Sequence, residues 1–219
     1  MVGREQFHAE LEKMKTMVID LAEGAKEQLS RSVEALYNGD LEATNNILED
    51  DKVLDQKEMD INEAVILLIA REQPVASDLR RLIIALKIST DLERMADHAK
   101  NIAKSIQHLG ENHGINIHEK LSDMKEIAIR MIDLSIKSYK HEDMTIARKL
   151  AELDDQLDKL YGEVTKELLE ETATNPQSIQ HIMQMAYCAR YIERFGDHAT
   201  NIGENVLYLI KGKSIDLNA

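Results

Sequence analysis

Residues Ile192–Gly203 read IERFGDHATNIG, and Leu92–Ala103 read LERMADHAKNIA. Glu, Arg, Asp, His, Ala, Asn and Ile recur in the same order at a constant offset of 100. A repeat of this length inside one chain marks duplication of a whole unit. On a helix, Leu92, Met95, Ala99, Ile102 and Ile106 make one apolar stripe, and Ile192, Phe195, Ala199, Ile202 and Val206 make its copy. Glu93, Asp97 and Asn101, with Glu193, Asp197 and Asn201, fall nearly opposite those stripes. The copies differ in the core, where Met95 becomes Phe195, and agree on the wet face. A core needs only approximate volume, so identity among the polar residues asks for a chemical reason.

Working outward, the apolar residues from Phe7 to Leu36 return every three or four positions, which predicts one long helix from about Arg4 to Asn38. Asn38-Gly39 ends it and Asp40 caps a second helix running to about Arg71. Gln73-Pro74 stops that one, and the proline suits the first turn of a third helix ending near Gly110. The segment GENHGIN, Gly110–Asn116, has two glycines and no periodicity and reads as a linker. Beyond it the grammar repeats: a helix from about His118 to Lys140, a break at His141-Glu142 with Asp143 as cap, a helix to about Thr174, a break at Asn175-Pro176, and a last helix to about Ile210. Short connections between long helices make antiparallel neighbours. The expected fold is therefore all-α: six long helices in two tandem, pseudo-symmetric, antiparallel three-helix bundles, residues 1–110 and 111–219.

The composition agrees. Two prolines, two phenylalanines and no tryptophan, against abundant Leu, Ile, Ala, Glu and Lys, leave no expectation of a sheet. Forty acidic against 27 basic residues give a net charge of −13, which disfavours a nucleic-acid backbone and favours cations or basic protein surfaces. The single cysteine, Cys188, lies in line with Ile192 and Phe195 and reads as packing. The longest apolar run, Ala64–Ala70, is far below the ~20 residues that span a bilayer, and no signal segment opens the chain, so a cytoplasmic protein is expected.

Each middle helix adds a carboxylate pair at i, i+4 spacing, Asp51 with Asp55 and Asp154 with Asp158, matching Glu93 with Asp97 and Glu193 with Asp197. Such like-charge neighbours cost a few tenths of a kcal/mol each. In an antiparallel hairpin, positions equally far from the turn lie side by side. Residues 53 and 95 are centred on Pro74, and residues 156 and 195 on Asn175-Pro176, so four carboxylates meet at one level in each half, ~30 Å from the turn. Arg94 and Arg194 could neutralise part of that charge, as on any acidic helix surface. Two matched quartets, each with an Asn one turn on (Asn101, Asn201), point instead to oxygen-ligand metal sites for iron, manganese, magnesium or calcium ahead of zinc. His98 and His198 sit toward the core edge and read as packing or as partners of the ligands. His108, His113, His118, His141 and His181 have no repeated counterpart.

Enzyme signatures do not emerge. Asp154 to Asp158 matches the DDxxD pattern of helical prenyl synthases, but its counterpart has one residue more between the acids, and three-helix halves lack the apolar cavity. A di-iron oxidase needs a Glu-x-x-His on each of two helices, and only Glu5 to His8 fits, at a chain end. There is no HExxH, no phosphate-binding glycine loop and no nucleophile elbow.

The stretches REQPVASDLRRLIIALKISTDLERMADHAKNIA, from Arg71, and YIERFGDHATNIGENVLYL, from Tyr191, resemble the signature helices of the PhoU family of phosphate-uptake regulators. The resemblance covers the whole chain. It implies two symmetric three-helix bundles, commonly as a homodimer, in the cytoplasm. It further implies a negative regulator of the phosphate-starvation response, acting as an adaptor between the phosphate ABC transporter, through its ATPase, and a membrane sensor kinase. Family members can hold multinuclear metal clusters on E/D-x-x-x-D motifs, matched here by Asp51, Asp55, Glu93 and Asp97 and by Asp154, Asp158, Glu193 and Asp197. Asp78-Leu79-Arg80 after the first proline has no counterpart after the second, where Ile179-Gln180-His181 occurs, so the two faces are expected to meet different partners. A metal-dependent phosphohydrolase and a purely structural helical scaffold are the competing expectations.

Overall fold

The computed structural model of the protein describes residues 2–110 and 116–217. Among them the chain forms α1 (Val2–Asn38), α2 (Leu41–Glu72), α3 (Ala76–Leu109), α4 (Lys120–His141), a short α5 (Met144–Ala147), α6 (Lys149–Thr174) and α7 (Ile179–Lys211), with no strand. The expected all-α architecture of six long helices is what is found. Residues 111–115 of the anticipated linker, His113 included, lie outside the described residues.

The local signals act as their chemistry requires. Gly39 takes a left-handed φ of +62° that a side chain would strain. Asp40 then caps α2, accepting from the Ala43 N–H at 2.8 Å. Asp143 likewise accepts from the N–H groups of Thr145 (2.7 Å) and Ile146 (3.4 Å). Two details differ from expectation. Pro74 precedes α3 instead of sitting in its first turn. Gln73 turns left-handed (φ 46°) to close α2 with its N–H on the Ile69 carbonyl, and Val75 is extended before the helix begins at Ala76. The proline thus stiffens a three-residue reversal. In the second half, Pro176 does open a turn of 3-10 helix, Pro176–Ser178, that leads into α7. The helix expected after Asp143 is interrupted at Arg148, whose dihedrals (−64°, −20°) remain right-handed. The ladder is disturbed there without a change of direction.

Side-chain bonds fix the antiparallel register. Lys100 with Asp51, Gln107 with Asn45 and Thr90 with Glu58 are all centred between Pro74 and Ala76. Arg31 with Asp50, Lys57 with Asp20 and Arg71 with Glu10 are centred around Gly39-Asp40. The two halves then share a single core: α3 packs lengthwise on α7 and α1 on α4, while α2 and α6 flank them on either side. Leu92, Met95 and Ile102 meet Ile192, Phe195 and Ile202 in that interior, all without solvent exposure. Burying side chains of this size contributes about 1.5–3 kcal/mol each, so the apolar stripes of the repeat hold the halves together as well as each hairpin. Cys188 is buried among them, and burial pushes its thiol up to about 12, which leaves it inert as expected. Gly196 and Gly203 stand where the other repeat has alanine because α6 comes close. A Cβ at Gly196 would lie 2.3 Å from Leu157 Cδ2, and one at Gly203 2.4 Å from Leu150 Cδ1.

Candidate metal centre and the repeat interface

The α2–α3 and α6–α7 hairpins bring both carboxylate quartets together. In the first, Asp55 feels Asp51 and Asp97, and Glu93 feels Asp97 and Asp55, with Glu58 beside both. In the second, Glu193 feels Asp197 and Asp158, and Asp197 feels Asp154 and Asp158. These seams between packed helices are less open than expected, each with a buried floor and a more accessible rim: Asp51 is 2% exposed, Asp154 5% and Glu193 7%, whereas Asp55, Glu93, Asp97 and Asp197 are half-buried and Asp158 is exposed. The helical-wheel reading placed the acids opposite the core stripe. Packing α2 and α6 alongside their hairpin partners covers that side as well.

Burial is the leading cause that raises Asp55, Glu93, Asp158 and Asp197 above the ordinary carboxylate range, with neighbouring acids adding to it. Glu193 is pushed furthest, to about 7, by burial and then by Asp197, against the opposing pull of Arg190 and Arg194. Seams of this kind are held up by local partners. In the first, Asp51 accepts from Gln28 Nε2 of α1 at 3.0 Å and from Lys100 Nζ at 2.5 Å, and Lys100 also pairs with Asp97. Burial lowers the Lys100 ammonium, but the hydrogen bonds it donates to those two aspartates outweigh that and raise it. Glu58 is tied by Asn62 (2.6 Å) and Thr90 (3.3 Å).

The second seam is built differently. Thr200 donates to Asp154 at 3.0 Å, Arg190 binds Glu193 Oε1 at 2.6 Å, and Arg194 reaches Asp197 at 3.4 Å. Glu193 Oε2 is buried with no hydrogen bond, and Arg194 Nε stands 3.9 Å from it, beyond bonding reach. Asp158, Glu193 and Asp197 each offer an oxygen within 4.8 Å of the others, the one such group of metal-ligating residues among the described residues. A buried carboxylate oxygen without a donor, converging with two more, fits a hard cation. Asn101 is half-buried and Asn201 exposed.

His98 and His198 stack on each other where α3 meets α7, with centroids 5.5 Å apart, and His98 stacks on Tyr191 at 6.0 Å. His198 Nδ1 pairs with Asp91 at 3.0 Å, and Asn205 donates to the same carboxylate at 3.4 Å. Since Tyr191 is the repeat counterpart of Asp91, one histidine keeps an acid partner and the other an aromatic one. Burial, then His198, lowers His98 to about 4, so it is neutral across the physiological range. These rings are packing between the repeats, not members of either acid group. Sequence reasoning missed Lys100, Glu58 and Gln28. Lys100 was visible as one of the few places where the repeat changes character, Lys against Thr200. Gln28 lies on a third helix and gave no signal.

None of the helices among the described residues is long and apolar enough to cross a membrane. A family model described as the PhoU domain matches residues 18–106 and again residues 121–206. A phosphate-specific transport system accessory protein PhoU homolog of Clostridium acetobutylicum is 35% identical over 217 residues, covering 98% of this chain and 99% of that protein. PhoU of Escherichia coli is 30% identical over 209 residues, 95% and 86% of the two chains. Among solved structures, PhoU of Pseudomonas aeruginosa superposes with a TM-score of 0.88 at 29% identity, covering 94% of this chain and all of that one. The phosphate transport system regulatory protein PhoU of Streptococcus pneumoniae gives 0.89 at 30%, covering 96% and 99%. With both repeats matched, and a fold shared along nearly its whole length, the chain belongs to the PhoU family.

Proposed function

We propose that this protein is a cytoplasmic negative regulator of phosphate uptake and of the phosphate-starvation response. It works by docking: an adaptor between the ATPase of the phosphate ABC transporter and a membrane sensor kinase, acting as a homodimer of two-repeat chains. The observation that carries this reading is end-to-end similarity to proteins named as accessory to, or regulatory of, phosphate transport. The net charge of −13 suits docking on basic protein surfaces.

Within that role the second seam takes a divalent or trivalent cation, with Asp158, Glu193 and Asp197 as ligands and Asp154 beside them. All-oxygen donors match iron, manganese, magnesium or calcium better than zinc. Support comes from the unbonded Glu193 Oε2. A bound ion neutralises a strongly acidic seam and adds Lewis-acid character to the docking face. Arg190 and Arg194 hold Glu193 and Asp197 in position from their own helix and limit how much charge the ion must offset.

The test is capture of the purified transporter ATPase and of the kinase by wild type and E193Q/D197N, alongside hydrolysis of p-nitrophenyl phosphate with Mn2+. A docking protein loses capture in the variant and shows no turnover in either form. Turnover lost in the variant would instead mark a phosphohydrolase, and unchanged capture a scaffold.

A further inference from the structure

The two acid seams are related by the repeat, yet they hold different cations: Lys100 reaches from α3 to α2 in the first, and Arg190, where the first repeat has Thr90, stands in the second. Asp51, Asp55, Glu93 and Asp97 correspond to Asp154, Asp158, Glu193 and Asp197, and Lys100 corresponds to Thr200. Resting on the metal reading of the second seam given above, we propose that Lys100 fills the cation seat of the first with the chain's own ammonium, so only the second repeat takes up metal.

The Lys100 ammonium sits where an ion would. It bonds Asp51 of α2 at 2.5 Å and pairs with Asp97 of α3, bridging the two helices across the seam. Its side chain is 19% exposed and that of Asp51 4%. The other oxygen of Asp51 is taken by Gln28, and Glu58 is held by Asn62 and Thr90. A lysine suits this place because its ammonium is a compact point charge with three donors, the nearest a side chain comes to a hard cation. A metal entering here must break these charge-assisted bonds and stand against a like charge.

In the second seam the counterpart of Lys100 carries no charge: the Thr200 hydroxyl reaches Asp154 alone. The cations that are present bind acids of their own helix, Arg190 to Glu193 and Arg194 to Asp197, each from three residues away. Arg190 also lies over the Tyr161 ring of α6 at 5.5 Å and offsets part of the Asp158 charge, but unlike Lys100 it is held on Glu193 of its own helix and on an aromatic face. The gap between α6 and α7 is where the unbonded Glu193 oxygen lies and where three carboxylates converge. No three carboxylates of the first seam converge so closely among the described residues. The duplication therefore carries one loaded position and one internally neutralised position, which gives a symmetric scaffold two chemically distinct faces.

Equilibrium dialysis of chelator-stripped full-length protein against Mn2+ at pH 7.5, read by elemental analysis, tests this. Wild type should take up Mn2+, E193Q/D197N should lose it at least tenfold, and E93Q/D97N should keep the wild-type amount. K100T placed in the E193Q/D197N background should regain uptake. K100Q is the substitute should K100T prove poorly helical by circular dichroism. Comparable losses in E93Q/D97N and E193Q/D197N would overturn the inference while leaving the metal reading intact, as would failure of both Lys100 variants to regain uptake. Uptake by the Lys100 variants without uptake by wild type would remove the metal reading of the second seam and leave the role of Lys100 standing. No uptake by any form would end both.

Discussion

Replacing Lys100 by Met is the perturbation whose cost follows most directly from the geometry. Asp51 is 2% exposed and has two donors, Gln28 at 3.0 Å and Lys100 at 2.5 Å. Removing one partner of a buried ion pair costs about 3–5 kcal/mol, because the other charge stays behind. Here Gln28 remains and the lysine is partly solvated, which brings the expected loss to about 2–3 kcal/mol. Asp51→Asn should cost less, about 1 kcal/mol, since Lys100 keeps Asp97 and the amide can still accept from Gln28. In the double variant the buried charge is gone with its partner, so the two losses should fall short of additive by about 1–2 kcal/mol. Urea unfolding followed by circular dichroism in chelator measures all three. Because the ammonium is raised above its ordinary value of 10.5, its contribution is complete below that pH and fades only as pH climbs past the folded value. The K100M loss should accordingly be the same at pH 6 and pH 9. A loss under about 0.5 kcal/mol, or strict additivity, would refute the pairing.

Two of the remaining predictions concern the join between the repeats, and one the packing inside the second. His98 faces His198, Tyr191, Asp97, Arg190 and Arg194 and is lowered to about 4 from an unfolded value near 6.5. Its contribution is therefore full above pH 6.5 and lost as pH falls toward 4, a ceiling of about 3 kcal/mol that partial exposure reduces to roughly 1–2. H98Q should flatten that part of the stability–pH curve, and identical curves would contradict it. Arg81 grips Glu142 with two bonds of 3.1 Å, joining α3 to the end of α4, and holds that carboxyl below its usual range. E142Q should cost roughly 0.5–1 kcal/mol at pH 7, an advantage of the wild type that disappears as pH falls through the lowered value. Gly196→Val drives a Cβ into Leu157 and Met131, and overpacking of this kind should lower stability by about 2–3 kcal/mol in thermal unfolding, with a neutral result against it.

The fold was legible because helix signals are local. Gly39, Asp40 and Asp143 act within a turn of themselves, and the two prolines mark both reversals, though the sequence could not say that Pro74 would stand outside the helix it precedes. The gathering of the carboxylates was legible too, since equal distances from a known turn decide which residues face each other. Burial of Asp51, Asp154 and Glu193 was not, because a wheel drawn for one helix does not show its hairpin partner closing over its far side. Nor was the meeting of His98 with His198: it depends on α3 crossing α7, a contact between repeats that no hairpin arithmetic contains. Lys100 lay in plain view inside the motif. Its importance became apparent only once Asp51, on another helix, was known to lie within 2.5 Å.

Anomalous diffraction from crystals grown with Mn2+ tests the central claim most directly. A peak bounded by Asp158, Glu193 and Asp197, with the Lys100 ammonium still seated between Asp51 and Asp97, is the predicted result. No peak at the second seam, or a peak in the first with Lys100 displaced, would contradict it.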